Sequence, residues 1–392
     1  MVLRRQFKYT AAFPAGARSR NSPKPLPAEG VAHIASAANE ATPFSLDVEY
    51  RPRVPVDWSG TIGIVGAGAI VREAHLPAYR KYGMEVGGVY DRVTSRASEV
   101  AREFGVPRVF DRLDDLLSDP RITVVDIATP PEVRMPLVLE ALAAGKHVLS
   151  QKPFATSIGN ARTMIRAADE SHLKLAVNQN ARFSPPWRIA TELVRRGIIG
   201  DVTSVTHTFD MSIGWVVGTH FDNMPHFLLY DYSVHWIDIT RCWLEAKTPT
   251  ELRAREFRSP HQPDAARTPW NGWIEIQYMD GTNALIRAVG CAETGRNGHF
   301  FWVHGTAGTI RGSLLGSDFV EVQVGNVVHR YLTDLHWYPD GFAGSMAELM
   351  AAVAEDRPPY HSASHNLLSL QLVLAACQSA EGDGRPVTID PL

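Results

Sequence analysis

The sequence predicts an α/β protein: an N-terminal doubly wound parallel sheet, followed by an α+β region with a large, mostly antiparallel open sheet. Three observations carry that expectation. Between Gly60 and about Asn180, short apolar runs alternate with stretches of helical apolar spacing, the rhythm of a parallel sheet with helices on both faces. After Asn180 the β-branched runs follow one another with Gly, Asn and Asp between them, as in an antiparallel sheet. The first apolar run, Thr61–Val65, leads straight into Gly66-Ala67-Gly68 and a helical stretch, a strand–turn–helix unit suited to a dinucleotide.

In the first half the expected strands are Thr61–Val65, Glu85–Tyr90, Arg108–Phe110, Val124–Ala128, His147–Ser150 and Lys174–Val177. The helices between them are Ile70–Tyr82, Ser95–Phe104, Leu113–Leu117, Pro131–Ala144 and Ile158–Ser171. Pro131 suits an early helix position and Gly145 a helix end. In the second half a helix is expected over Pro186–Arg196, stopping at Gly197. Strands are expected at Val202–Phe209, Glu251–Phe257, Trp273–Tyr278, Ala284–Val289, Phe300–His304, Thr309–Ser313, Val320–Val324 and Val327–Leu332. Asp280-Gly281 and Gly325-Asn326 read as hairpin turns. Helices near Leu228–Trp243, Gly341–Ala354 and His365–Glu381 complete the pattern. The expected divisions are an extension at 1–58, a nucleotide-binding domain at 59–180 and a substrate-binding and oligomerisation domain at 181–392.

Composition describes an ordinary soluble globular protein, with 45% hydrophobic and 21% charged residues. A net charge of −3 gives no footprint for nucleic acid. No apolar run reaches the roughly 20 residues of a membrane span. Three dispersed cysteines, Cys242, Cys291 and Cys377, form no CxxC pair. They are expected as buried free thiols in a reducing cytoplasm. The first 30 residues carry six basic side chains and one acid, without the apolar core of a secretory signal. That stretch reads as a disordered leader, an over-long start or an arm laid on another subunit. Phe44–Tyr50 alternates apolar and polar residues, so order is expected to begin there, as a short strand or arm.

Each part of the Thr61–Asp91 unit has a physical job. Gly66 turns the chain tightly off the strand, and Gly68 lets backbone approach a pyrophosphate. Ala69 and Ile70 open the helix whose positive end faces that group. Asp91 lies 23 residues beyond Gly68, about the spacing of the carboxylate that binds ribose hydroxyls. Val71 stands where a third glycine of the fingerprint would fall, a position that serves packing rather than phosphate contact. Arg92 could pair with a 2′-phosphate, which keeps NADP open, but Asp91 would repel that phosphate. NAD is therefore the expected cofactor, and hydride transfer the expected chemistry.

Ligands of open α/β sheets bind beyond the carboxyl ends of the strands. Thr129 and Pro130, after the fourth strand, should border the cofactor. Gln151 and Lys152 follow the fifth. Lys152 there can hold a substrate oxygen and stabilise an alkoxide as hydride leaves, and desolvation can tune it for proton transfer. Asp231 and His235 are four apart on an expected helix and so share a face. A carboxylate beside the imidazole would orient it and favour its protonated form, and the pair could take the hydroxyl proton. His220, Asp222, His226, Asp231 and His235 cluster in sequence, but their spacing matches no metal-ligand motif, so no metal is expected. Asn178, Asn180 and Arg182 follow the sixth strand, within reach of the cofactor amide or substrate hydroxyls. Trp215, His220, His226 and Tyr230 are candidates to line a sugar pocket.

Taken in order, Gly66-Ala67-Gly68, Ala128-Thr129-Pro130-Pro131, Ala144-Gly145-Lys146-His147-Val148, Gln151-Lys152-Pro153 and Asp231-x-x-x-His235 resemble the glucose-fructose oxidoreductase, inositol dehydrogenase and rhizopine-catabolism (Gfo/Idh/MocA) family over about Gly60 to Leu392. The resemblance implies a Rossmann domain, and then an α/β domain whose open sheet serves as a subunit interface, giving a homodimer or homotetramer. It implies NAD- or NADP-dependent oxidation or reduction of a hydroxyl on a sugar, glycoside or inositol-type polyol. Lys152 then corresponds to the family lysine of Glu-Lys-Pro, His235 to the proton acceptor and Asp231 to a substrate-binding carboxylate. Gln151 departs from the family glutamate and removes a charge beside the nicotinamide. Two other readings stay open: a glycoside-cleaving or epimerising enzyme that keeps its NAD and oxidises the sugar transiently, and a non-catalytic nucleotide-binding sensor.

Overall fold

The computed structural model describes residues 47–292, 298–316 and 318–392. The expectations for the leader and for Phe44–Leu46 lie outside the described residues. Residues 47–58 are irregular rather than a strand. They lie on their own chain: Tyr50 and Arg51 donate to Asp334, and Arg196 donates to the Asp47 carbonyl. The alternation of side chains here marks a segment with one packed face. Val48, Tyr50 and Val54 supply that face.

The first sheet has six strands: β1 (Thr61–Val65), β2 (Val86–Tyr90), β3 (Val109–Phe110), β4 (Ile122–Ile127), β5 (His147–Ser150) and β6 (Leu175–Val177). All pair in parallel, in the order β3-β2-β1-β4-β5-β6. β1 and β4 are buried along nearly their whole length, as strands covered on both faces must be. The covering helices are α1 (Leu76–Lys81), α2 (Thr94–Phe104), α3 (Leu113–Ser118), α4 (Pro131–Ala143) and α5 (Ile158–Glu170). Strand order reverses between β1 and β4, which opens the crevice where such sheets bind ligands.

One expected helix is divided. A wider π-type turn over Val71–His75 precedes α1. Pro77 has no N–H to give to the fourth carbonyl back, which favours that local widening.

The second sheet has nine strands: β7 (Val202–Asp210), β8 (Pro249–Phe257), β9 (Asn271–Tyr278), β10 (Asn283–Val289), β11 (Gly298–Gly305), β12 (Gly308–Leu314), β13 (Phe319–Val324), β14 (Val327–Leu332) and β15 (Val387–Thr388). Their order is β14-β13-β12-β11-β7-β10-β9-β8-β15. Among the described residues only β7 and β10 pair in parallel in this sheet. Strand β15, two residues long, was not anticipated. Four helices accompany this sheet: α6 (Pro185–Arg195), α7 (Val234–Trp243), α8 (Phe342–Ala354) and α9 (Ala363–Glu381). Helices α6, α7 and α9 contact its strands, while Leu285 and Phe300 remain exposed. Of the three free thiols only Cys242 is buried; Cys291 and Cys377 are partly exposed, against expectation. Among the described residues no helix is long and apolar enough to cross a membrane.

Candidate functional site at the strand ends

The glycine turn is built for a close ligand. Gly66 has φ +103°, and a Cβ there would lie 2.6 Å from the Ala128 carbonyl oxygen. Only glycine lets the loops after β1 and β4 approach this closely. A Cβ at Gly68 would meet nothing within 4 Å, so open space lies over the turn where the helix begins at Ala69. Exposed N–H groups at such a helix start suit a phosphate. Asp91 is drawn into the turn: Ala67 N donates to its Oδ2 at 2.7 Å and Val93 N to its Oδ1 at 2.8 Å. The carboxylate is thereby oriented at the end of β2, beside the glycines. Arg92 is exposed, and Val71 is buried in the helix–strand packing that the third glycine would have served.

The ends of β4, β5 and β6 carry a second signature. Thr129 Oγ1, Ser150 Oγ, Gln151 Oε1, Asn178 Oδ1 and both carboxamide atoms of Gln179 are buried without a hydrogen-bond partner among the described residues. Buried polar atoms are nearly always paired, at a cost of about 1–3 kcal/mol each when they are not. Such a row along one sheet edge fits a ligand rich in hydroxyl and amide groups. These residues, with Gly66, Gly68 and Asp91, fit a dinucleotide; Pro130, at the start of α4, is exposed beside them.

Lys152 and Asp231 meet at the same edge. Lys152 Nζ donates to Asp231 Oδ2 at 3.0 Å and to the Asp231 carbonyl at 2.9 Å, each side chain 14% exposed. Asp231 lies in a π-type turn, Leu228–Tyr232, and α7 begins only after it. The expectation that Asp231 orients and charges His235 is therefore corrected. The carboxylate is taken by an ammonium 79 residues away in sequence, while His235 Nδ1 is buried with no partner among the described residues. Burial, and then the Lys152 charge, push the imidazole well below its ordinary range, with Asp238 opposing weakly. His235 is thus a neutral imidazole, the protonation state of an acceptor.

Arg134 was missed by sequence reasoning. It is 1% exposed and donates to the carbonyls of Thr129, Pro153 and Phe154, with no carboxylate among its hydrogen-bond partners in the described residues. Burial lowers its guanidinium to about 10. It joins the loop after β4 to the loop carrying Lys152. A signal existed: Arg134 falls on the buried stripe of α4 with Pro131, Val138 and Ala141.

Other candidates lie elsewhere. Arg182 is 1% exposed and bidentate on Asp238, with Tyr360 O and His365 as further partners; it ties α7 to α9 rather than facing a ligand. Burial raises the Asp238 carboxyl, but the Arg182 charge prevails and holds it at about 2. Asn180 accepts from Trp337 Nε1 at 2.7 Å and donates to the Asn178 carbonyl, so its carboxamide serves the fold. Tyr230 donates to Ala155 O at 3.2 Å, beside the Lys152 loop. Trp215 is 39% exposed and packs on Phe221 and Phe227. His220 lies against Phe221. His226 pairs with Glu256 and Glu381. Asp222 accepts from the backbone of Gly218, Arg267 and Thr268.

Comparison with known proteins gives the same two halves. Residues 61–179 match the Gfo/Idh/MocA model described as an oxidoreductase family with an NAD-binding Rossmann fold, and residues 191–389 match that family's C-terminal alpha/beta domain. A 1,5-anhydro-D-fructose reductase from Ensifer adhaerens is 33% identical over 138 residues, 35% of this chain and 41% of the relative. A D-apiose dehydrogenase from Paraburkholderia graminis is 30% identical over 183 residues, 45% of this chain and 48% of the relative. The chain thus spans less than half the length of these curated relatives. A levoglucosan dehydrogenase solved with NADH and levoglucosan shares the fold, with a TM-score of 0.73 at 21% identity over 84% of this chain and 99% of that one.

Proposed function

The chain belongs to the Gfo/Idh/MocA oxidoreductase family and carries its NAD-binding Rossmann fold, and from that premise we propose that it transfers hydride between NAD and a hydroxyl-bearing carbon of a sugar, glycoside or inositol-type polyol. The observation that carries this reading is the meeting of Lys152 and Asp231 beside the neutral His235, whose Nδ1 has no partner among the described residues, at the strand ends. Relatives named for anhydrofructose, apiose and levoglucosan favour a sugar-like substrate.

Bound nicotinamide would supply the hydride acceptor or donor. Lys152, with two of its donors spent on Asp231, has one more for the reacting oxygen. Holding that oxygen against a fixed ammonium stabilises developing alkoxide charge. His235 takes the hydroxyl proton on oxidation and returns it on reduction. Because the imidazole is buried beside Lys152, its protonated form is unfavourable and is discharged readily. Asp231 aims the ammonium. Asp91 fits the ribose hydroxyls and makes NAD the preferred cofactor, with NADP possible.

The division at residues 59–180 and 181–392 belongs to this reading, as does a homodimer or homotetramer joined through the open face of the nine-stranded sheet. The test is a panel of inositols, free sugars and glycosides with NAD and with NADP, followed by the absorbance of reduced nicotinamide. Turnover within one class names the substrate. Glycoside cleavage with cofactor retained and no net reduction would replace this reading with transient oxidation.

A further inference from the structure

His235 has a wall that the proposed mechanism does not use. The Trp337 indole stands edge-to-face with the imidazole, ring centroids 5.0 Å apart at 89°. Trp337 is 3% exposed, and its Nε1 donates to Asn180 Oδ1 at 2.7 Å. Asn180 in turn donates to the Asn178 carbonyl, at the exit of β6. The indole is therefore held at both ends, by a hydrogen bond on one side and by Trp187 and Trp236 on the other.

Trp337 belongs to a short strap, residues 336–341, that joins the second sheet to α8. The strap is fastened to the nucleotide-binding half by Asp340, which is 1% exposed. Its carboxylate accepts from Lys81 Nζ at 2.6 Å, Tyr82 Oη at 2.8 Å and the strap's own His336 N at 2.8 Å. Lys81 ends α1 and Tyr82 follows it, on the helical segment that leaves the glycine turn. At the other end of the strap, a Cβ on Gly341 would come within 2.6 Å of the Asn180 carbonyl and 3.0 Å of Trp337 Cδ1. Glycine thus lets the strap lie flat against the segment after β6.

We propose that Trp337 is a positioning residue for His235, held by a strap that Asp340 fastens to the helical segment following the glycine turn. With Nδ1 unpartnered among the described residues, packing bears on the orientation of the imidazole, and the indole is an aromatic ring packed against it. Edge-to-face aromatic pairs contribute direction as well as burial. The indole also keeps the imidazole dry. The charged groups facing His235 are Lys152 from the loop after β5 and Asp238 on α7; Asp231 is engaged by Lys152.

This inference rests on the reading of His235 as the proton acceptor, and its test separates the two. Wild type, W337F, W337A, G341A and H235A proteins are compared in two ways: by the pH profile of kcat/KM, and by NMR titration of ¹³Cε1-labelled histidine, the His235 signal being the one lost in H235A. W337A should move both the His235 titration and the acidic limb upward by about one pH unit or more, as burial and orientation are lost, and lower kcat about tenfold or more. W337F, which keeps a ring but loses the bond to Asn180, should fall between. G341A keeps the indole and displaces the strap, so it should move in the same direction even where W337A does not fold. An unmoved titration in variants that melt normally and bind NADH would overturn the positioning role. An active H235A protein would remove the proton-acceptor reading, and the NMR titration would still report whether Trp337 governs the imidazole.

Discussion

Lys152 Nζ lies 3.0 Å from Asp231 Oδ2 and 2.9 Å from the Asp231 carbonyl, so one residue holds the ammonium by both its side chain and its backbone. Removing the carboxylate charge leaves half of that grip. Asp231→Asn should lower kcat/KM by about 10- to 100-fold, within the range of one misdirected catalytic group. NADH affinity, read by fluorescence, should be unchanged. An equal loss of cofactor affinity would mean that Asp231 acts on the fold of the edge rather than on Lys152.

Arg134 spends a buried guanidinium on three main-chain carbonyls. Arg134→Met keeps much of the volume but orphans those carbonyls, at about 1–3 kcal/mol for each left unpaired. The expected result is a melting temperature lower by several degrees, with kcat falling as the Lys152 loop loses its tie to Thr129. Arg134→Lys should recover part of the stability but little of the rate, because an ammonium lacks the planar fork. A neutral outcome for Arg134→Met would show that the loops are held by other contacts.

In the proposed function, Asp91 sets the cofactor preference. Its carboxylate, fixed by Ala67 N and Val93 N, would repel a 2′-phosphate, and exposed Arg92 stands next to it. Asp91→Ser should shift the ratio of kcat/KM for NAD against NADP toward NADP by about tenfold or more, equivalent to about 1.4 kcal/mol. An unchanged ratio would place the discrimination elsewhere.

Acid should unfold this protein early. Burial holds His207 and His361 at about 3, and His299 and His365 at about 4. These groups stay neutral in the folded chain while an unfolded chain protonates them near 6.5. Stability is therefore whole above pH 6.5 and falls as pH drops through the window from 6.5 to about 4, by about 1.4 kcal/mol per pH unit for each such histidine. His226, raised chiefly by its hydrogen bond to Glu256, acts oppositely: its contribution is present below 6.5 and fades above it. His147 and His235, also lowered chiefly by burial, add to these four, and six groups against one make the net direction clear. Thermal melts between pH 7.5 and 5 should show a steep decline, and a flat profile would contradict the burial of these histidines.

Periodicity carried most of the fold, because strands with covered faces and amphipathic helices write themselves into local sequence. The strands of both sheets were legible for that reason, apart from two-residue β15. What escaped was non-local. The Asp231–His235 relation read from helical spacing was overridden because a π-type turn widens the segment and Lys152, distant in sequence, competes for the carboxylate. Arg182 looked available by its position after β6, yet Asp238 and α9 enclose it. The tie from Lys81 to Asp340 spans 259 residues, and no local pattern announces it. The glycine turn, Asp91, the strand-end threonine and Lys152 were legible because backbone geometry at a switch point constrains residue type directly.

In the proposed mechanism, Lys152 and His235 together perform hydride-coupled proton transfer on a hydroxyl-bearing substrate. The most direct measurement is single-turnover reduction of bound NAD by the best substrate of the panel, in wild type, Lys152→Ala and His235→Ala, with cofactor affinity measured in parallel. Unchanged cofactor affinity and a rate constant lower by about 10²- to 10⁴-fold are expected in each variant. Rates near wild type in either variant, with cofactor bound, would contradict the mechanism.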